Sequence, residues 1–168
     1  MAYRPGACYN KKKQPRPLRA GKNGEDVMKL KTRDFGEIEL AEEELFTFTQ
    51  PLFGFEDYKT FALLFDDELG DELVFLQSAQ EPGLRFILSD PAAVKPSYHP
   101  PLPENAEALL GKGEYCWWLV TVVAPDFKES TVNLRSPILF NPVTRKAAQI
   151  LLEDDLPVRS KMFEEEGQ

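Results

Sequence analysis

The chain has 168 residues and a formal net charge of −8, from 20 basic and 28 acidic residues, with 2 cysteines and 1 histidine. That length suits one domain with a single core. No apolar run approaches the ~18 residues of a membrane span, no secretory signal pattern is present, and two cysteines supply neither a metal spacing nor a disulfide framework, so the expected setting is the cytoplasm.

The charge is divided unevenly. Residues 1–27 hold seven basic side chains (Arg4, Lys11, Lys12, Lys13, Arg16, Arg19 and Lys22) against Glu25 and Asp26; thirteen basic and twenty-six acidic residues remain for the rest, a net charge of −13. Such a body repels nucleic acid and draws basic partners toward it, although acidity also serves solubility alone. Residues 1–27, poor in large aliphatics, read as a disordered basic N-terminal extension. Their Lys11–Arg19 cluster is either solvated or a contact for RNA or lipid. Patterning begins at Met28, so the domain is expected over 28–156, with residues 157–168 as an acidic, frayed tail.

Met28, Leu30 and Thr32 alternate with Lys29, Lys31 and Arg33, which predicts a half-buried strand. Glu37–Leu40 alternates again, giving a hairpin across Asp34-Phe35-Gly36, and Leu45–Phe48 reads as extended after an acidic turn. Thr49–Tyr58 is a loop containing Pro51 and Gly54. Its Phe53 and Phe55 either cover the end of the core or anchor a partner.

Phe61, Leu63 and Phe65 share one face of a strong strand. The acids from Asp66 to Glu72 fail the calcium-loop spacing, because Leu69 and Gly70 interrupt the oxygen series and Gln77 stands where the distal Glu belongs. A solvated hairpin tip is expected there. Leu73–Ala79 and Leu84–Leu88 are strands joined by the Pro82-Gly83 turn, completing a meander. Asp90–Pro103, with five prolines, reads as an extended surface connection carrying His99. Pro103–Leu110 is predicted as one short helix ending at Gly111, placed to plug a barrel end.

Glu114–Ala124 is the most apolar strand. Trp117 and Trp118 point to opposite faces, one toward the core and the other toward a cover or a partner, and Cys116 reads as a buried small hydrophobe. Val132 with Leu134, and Ile138 with Phe140, each share a strand face, broken by Pro137 and ended by the Asn141-Pro142 turn. Lys146–Leu152 fits a helical stripe and a strand alternation equally, and propensity alone favours helix.

No phosphate-cradling glycine loop, nucleophile elbow, His-rich metal site or basic-aromatic stripe occurs in the acidic part. A lone loop histidine without a nearby nucleophile is a weak catalytic signal. This negative evidence favours a binding protein over an enzyme and calls for no cofactor or metal.

Several short motifs recur in order: Phe35-Gly36-Glu37-Ile38; Phe48 through Gly54-Phe55-Glu56-Asp57; Leu76-Gln77-Ser78; Ser89-Asp90-Pro91; Thr131-Val132-Asn133-Leu134 with Pro137-Ile138; and Thr144-Arg145-Lys146 with Gln149 and Leu152-Glu153-Asp154. In this order the chain from about Met28 to Asp155 resembles the flagellar assembly factor FliW family. The family's usual Pro-Gln-Gly-Ile-Pro-Gly-Phe-Glu is here Thr49-Gln50-Pro51-Leu52-Phe53-Gly54-Phe55-Glu56, with Pro51 for a glycine and Phe53 for a proline.

The resemblance implies an all-β, mostly antiparallel fold, a pseudo-barrel of two packed sheets with one short helix, and it turns Lys146–Leu152 from helix to strand. It implies a cytoplasmic non-enzyme, monomeric when free, that binds flagellin and the translational regulator CsrA and so relieves repression of flagellin mRNA. Neither nucleic acid nor membrane is expected as a direct partner. The expected contacts are Phe53, Phe55, Glu56 and Asp57, with Asp71 and Glu72 for steering. Asn133 and Arg135, like Gln149, either satisfy backbone groups at the barrel end or face the partner. The rival readings are an RNA- or nucleotide-binding barrel acting through the basic tail, and a carboxylate-dependent hydrolase near His99.

Overall fold

The computed structural model describes Arg16–Pro17, residues 27–70 and residues 72–163. Among the described residues twelve strands run in chain order: β1 (Arg16–Pro17), β2 (Val27–Lys31), β3 (Glu37–Ala41), β4 (Phe46–Gln50), β5 (Thr60–Leu64), β6 (Leu73–Ser78), β7 (Arg85–Ser89), β8 (Cys116–Val122), β9 (Thr131–Val132), β10 (Ile138–Asn141), β11 (Lys146–Gln149) and β12 (Ser160–Lys161). Two short helices, α1 (Pro91–Val94) and α2 (Ala106–Leu110), lie between β7 and β8. Barrel-like closure of a mostly antiparallel β protein is what the family resemblance implied.

Strands β4 to β8 form a continuous antiparallel meander. Closure comes from β8, whose edge opposite β7 is shared. Its first half pairs with β10, through Ile138↔Trp118 and Phe140↔Cys116, and its second half with β9, through Thr121↔Val132. β10 then pairs with β11, and β11 runs parallel to β4, with a bulge between Ala147 and Ala148. The barrel therefore has seven strands, in the order β10-β11-β4-β5-β6-β7-β8 and back to β10.

Alternation decides what fills it. Phe46, Phe48, Phe61, Leu63, Leu76, Trp118, Ile138 and Phe140 line the interior and are all buried. Edge-to-face contacts join Phe46 to Phe140 and Phe48 to Phe61, each at 5.1 Å. The other faces are covered by three separate layers. The β1-β3-β2 sheet packs Leu30, Ile38 and Leu40 onto Ala62, Leu64 and Phe75. Its exposed side sets Lys29 opposite Glu39 and Lys31 opposite Glu37, favourable cross-strand charge pairs. The Arg85 guanidinium clamps this hairpin by bonding Asp34 at 2.6 and 3.3 Å while lying over the Phe75 ring.

The second layer is α2, which covers Trp117, Leu139 and Ala148 on the barrel's outer wall and does not plug its end. Trp117 thus faces a cover and Trp118 the core, and both are buried. The third layer comprises the α1 region and the C-terminal segment, where Val94, Tyr98, Leu156 and Met162 pack on Leu73, Leu119, Val132 and Leu134.

Some expectations need correction. The Asp90–Pro103 connection contains α1, because the Asp90 carboxylate accepts the Ala92 N–H as an N-cap and Pro91 occupies the first helical turn. Of the stretch read as a frayed tail, β12 pairs with β9 and Met162 is buried; residues 164–168 lie outside the described residues, as do residues 1–15 and 18–26. Cys116 is buried, but it is disulfide-bonded rather than a free thiol. Cys8, the chain's other cysteine, lies outside the described residues.

Candidate partner-binding site

The loop after β4 is built by two overlapping turns. The Phe55 N–H donates to the Leu52 carbonyl at 2.9 Å and the Tyr58 N–H to the Phe55 carbonyl at 3.0 Å. Gly54 takes φ +87°, the positive value that the third position of a type II turn requires. Phe53 stands at the second position, where the side chain is thrown outward, and it is 52% exposed.

Its backbone is held from across the barrel end. The Gln149 side-chain oxygen accepts the Phe53 N–H at 2.8 Å, and its nitrogen donates to the Ser136 carbonyl at 3.0 Å. Ser136 belongs to the bend between β9 and β10, which Asn133 closes by accepting the Arg135 and Ser136 N–H groups at 3.1 and 3.0 Å. One chain of hydrogen bonds therefore runs from Phe53 through Gln149 and Ser136 to Asn133. The Arg135 guanidinium lies at the same end, 3.5 Å from Asp155, with its Nε buried and unpartnered.

Six of the sequence-derived contact residues thus gather at one end of the barrel, in different roles. Phe53 is exposed. Phe55 is half-buried, packed edge-to-face on Phe86 at 5.0 Å. Glu56 accepts the Gly54 N–H at 3.1 Å, and the Asp57 carbonyl accepts from the Gln80 side chain at 3.2 Å. Asn133 and Gln149 spend their side chains on backbone groups. The fold does not bring Glu72 here. It follows the β5–β6 connection, and β5 separates the two ends by roughly 17 Å at ~3.3 Å per residue. Asp71 lies outside the described residues.

At that opposite end, Glu72 joins residues that the sequence did not single out as contacts to make a groove of about 260 Å³. Leu73, Ala93, Val94 and Met162 line it together with the exposed Leu69, Phe127 and Phe163, and Glu68 and Glu72 are its charged members. Sequence reasoning missed it because its walls come from four segments spread between positions 68 and 163. Nearby, Asp90 has its carboxyl raised above the ordinary value, first by burial and then by the Glu72 charge, against the lowering effect of the Ala92 N–H.

His99 is exposed on the connection between the helices. Among the described residues no cluster of three or more His, Cys, Asp or Glu is placed to hold a metal ion, and no helix is long and apolar enough to cross a membrane.

Residues 29–162 match the family model described as FliW protein. The flagellar assembly factor FliW of Caldicellulosiruptor bescii is 32% identical over 139 residues, covering 80% of this chain and 90% of the relative. That of Syntrophotalea carbinolica is 36% identical over 121 residues, covering 71% and 86%. A crystal structure of the flagellar assembly factor FliW superposes with a TM-score of 0.76 at 30% identity, over 83% of this chain and 100% of that one. Matched across nearly all of its barrel and covering layers, the chain belongs to the FliW family.

Proposed function

We propose that this protein is a cytoplasmic, non-enzymatic flagellar assembly factor that binds flagellin and sequesters CsrA, relieving repression of flagellin mRNA. The observation that carries this reading is the family match over residues 29–162. The charge supports it: an RNA-binding regulator must present basic surface to phosphates, and a body of net charge −13 outside residues 1–27 is steered to such a surface and disfavours RNA bound at the same time. No cofactor, membrane or nucleic acid takes part directly, and the free protein is a monomer.

The contact surface we assign is the end built by Phe53, Phe55, Glu56 and Asp57 with Asn133 and Arg135, while Glu72 steers from the other end and Asp71 is a second steering charge. Phe53 is the anchor, because an aromatic ring on a fixed turn loses little freedom on binding. Purified protein mixed with flagellin, and separately with CsrA, should form stoichiometric complexes on a sizing column; no complex with either overturns the reading. Phe53→Ala should weaken binding at least tenfold and leave stability within about 0.5 kcal/mol, as for an exposed side chain. Charge reversal at Asp71 and Glu72 should slow association at low salt, and an unchanged on-rate removes them from steering.

A further inference from the structure

We infer that the groove between the β5–β6 connection, α1 and the C-terminal segment is a second docking surface, and that it takes a basic segment of a partner protein presenting one or two large apolar side chains. This goes beyond the Phe53 end and stands whichever proteins are bound there.

Three observations converge on that occupant. The first is size. At about 260 Å³ the groove falls below the ~300–1,000 Å³ common for small-molecule sites, so it suits single side chains of a polypeptide. The second is its lining. Leu73 and Met162 form a buried floor, while Leu69, Phe127 and Phe163 stay exposed at 42%, 45% and 40%. Phe127 and Phe163 already pack edge-to-face at 5.2 Å, which makes a preformed aromatic wall rather than two loose rings.

The third is charge. The charged side chains lining the groove, Glu68 and Glu72, are both carboxylates and both exposed. Lys95, Lys128 and Lys161 are neighbours in sequence to lining residues but do not themselves line the groove, and Lys161 reaches Glu129 at 3.8 Å. Glu72 also acts on the partly buried Asp90 carboxylate that caps α1, raising its pKa. Cations beside the groove would relieve that repulsion as well as pair with the rim. An apolar floor with an acidic rim selects lysine or arginine flanking the anchor and disfavours an acidic segment.

The test uses the full chain and a fluorescein-labelled 16-residue helical peptide with leucines along one face flanked by lysines, beside the same peptide with glutamates for the lysines. The lysine peptide should bind saturably and more weakly as salt rises, and the glutamate peptide should not bind. Glu68→Lys with Glu72→Lys should weaken binding at least tenfold and remove most of the salt dependence. Phe127→Ser with Phe163→Ser should also weaken it at least tenfold. Loss of this partly exposed ring pair should lower Tm by only a few degrees. Phe53→Ala should bind the peptide as the parent does. Hydrogen exchange should slow over residues 66–70, 72–73 and 91–95 but not over 51–58. Equal binding of both peptides, binding unaffected by either double variant, or protection confined to 51–58 would overturn the assignment. A concentration-dependent dimer that closes the groove without peptide would overturn it in favour of a second copy of the chain.

Discussion

Gln149→Ala tests whether the candidate loop is positioned from across the barrel. Gln149 is 8% exposed and makes two hydrogen bonds, accepting from Phe53 N–H and donating to Ser136 O. Removal leaves the Ser136 carbonyl buried without that donor, which costs about 1–3 kcal/mol. The Phe53 amide lies on an exposed loop and regains water, so its loss is nearer ~1 kcal/mol. Together these predict a loss of about 3 kcal/mol, or roughly 10 °C in Tm for a body of this size. Gln149→Glu separates the two bonds. Its carboxylate can still accept from Phe53 but cannot donate to Ser136, and it places a charge in a buried site. The protonated acid can donate, so the folded pKa of this glutamate lies above its unfolded value of about 4.3. A group raised in this way imposes no penalty below the unfolded pKa and its full penalty above the folded one. Gln149→Glu should therefore approach the parent as pH falls, while Gln149→Ala keeps a constant deficit. Urea unfolding read by the fluorescence of the buried Trp117 and Trp118 at a series of pH values measures both. An alanine cost under about 0.5 kcal/mol, or a glutamate deficit that ignores pH, would refute this account of the loop.

Asn141→Ala should cost about 2–4 kcal/mol by denaturant unfolding, since this fully buried side chain donates to the Leu110, Gly111 and Lys112 carbonyls and accepts from the Val143 and Thr144 amides. Gly111→Ala should also destabilise, by about 1–3 kcal/mol, because its φ is +77° and a Cβ would stand 2.7 Å from the Thr144 methyl; Thr144→Ser should recover part of that loss. Asp90→Asn keeps the N-cap and removes a partly desolvated charge. Because the Asp90 pKa is raised above 3.8 by burial and by Glu72, its charge burdens the fold at neutral pH, and the burden vanishes as pH falls through that raised value. The variant should thus be as stable as the parent or slightly more so at neutral pH, with the difference gone in acid. Phe53→Pro fits the second position of the turn and stiffens it, yet loses the N–H that Gln149 accepts, so Tm should change by only a few degrees while partner binding falls as for Phe53→Ala.

Strands were legible wherever one face is buried, because period-two alternation marks them directly. Leu30, Ile38 and Leu40, or Phe61, Leu63 and Phe65, could be placed from the sequence alone. Lys146–Gln149 was not legible from its own residues. Its propensity favours helix, and it becomes a strand because β4 and β10 flank it and both faces are covered, by the barrel interior at Ala147 and by α2 at Ala148, a tertiary override of a weak local preference. Closure of the barrel was hidden for a related reason. It depends on β8 dividing one edge between β9 and β10, and no local pattern announces a shared edge. At the Phe53 end the aromatic and acidic residues were visible in the sequence. The Gln149 bond that fixes them joins positions 96 residues apart and was not.

The residues that carry the family resemblance are mostly occupied by the fold itself. Gln77 accepts the Arg33 amide and donates to carbonyls of the β6–β7 turn, pinning the outer hairpin to the barrel. Ser89 is hydrogen-bonded to Thr121 in the buried wall at 2.6 Å, and Asp90 and Pro91 start α1. Asn133 closes the β9–β10 bend, and Thr144 holds the Leu110 carbonyl that ends α2. Arg145 takes φ +59° and lies over the Phe46 ring. These side chains have little capacity left for a partner, so the motifs can specify the scaffold without specifying the contact. The groups free to meet another protein are those the scaffold does not use. Phe53 is the clearest: its amide is held by Gln149 while its ring stays exposed. One residue therefore gives this chain both the bond that fixes the turn and the ring that the turn presents, and the contribution of each is separable by replacing the ring and the amide independently.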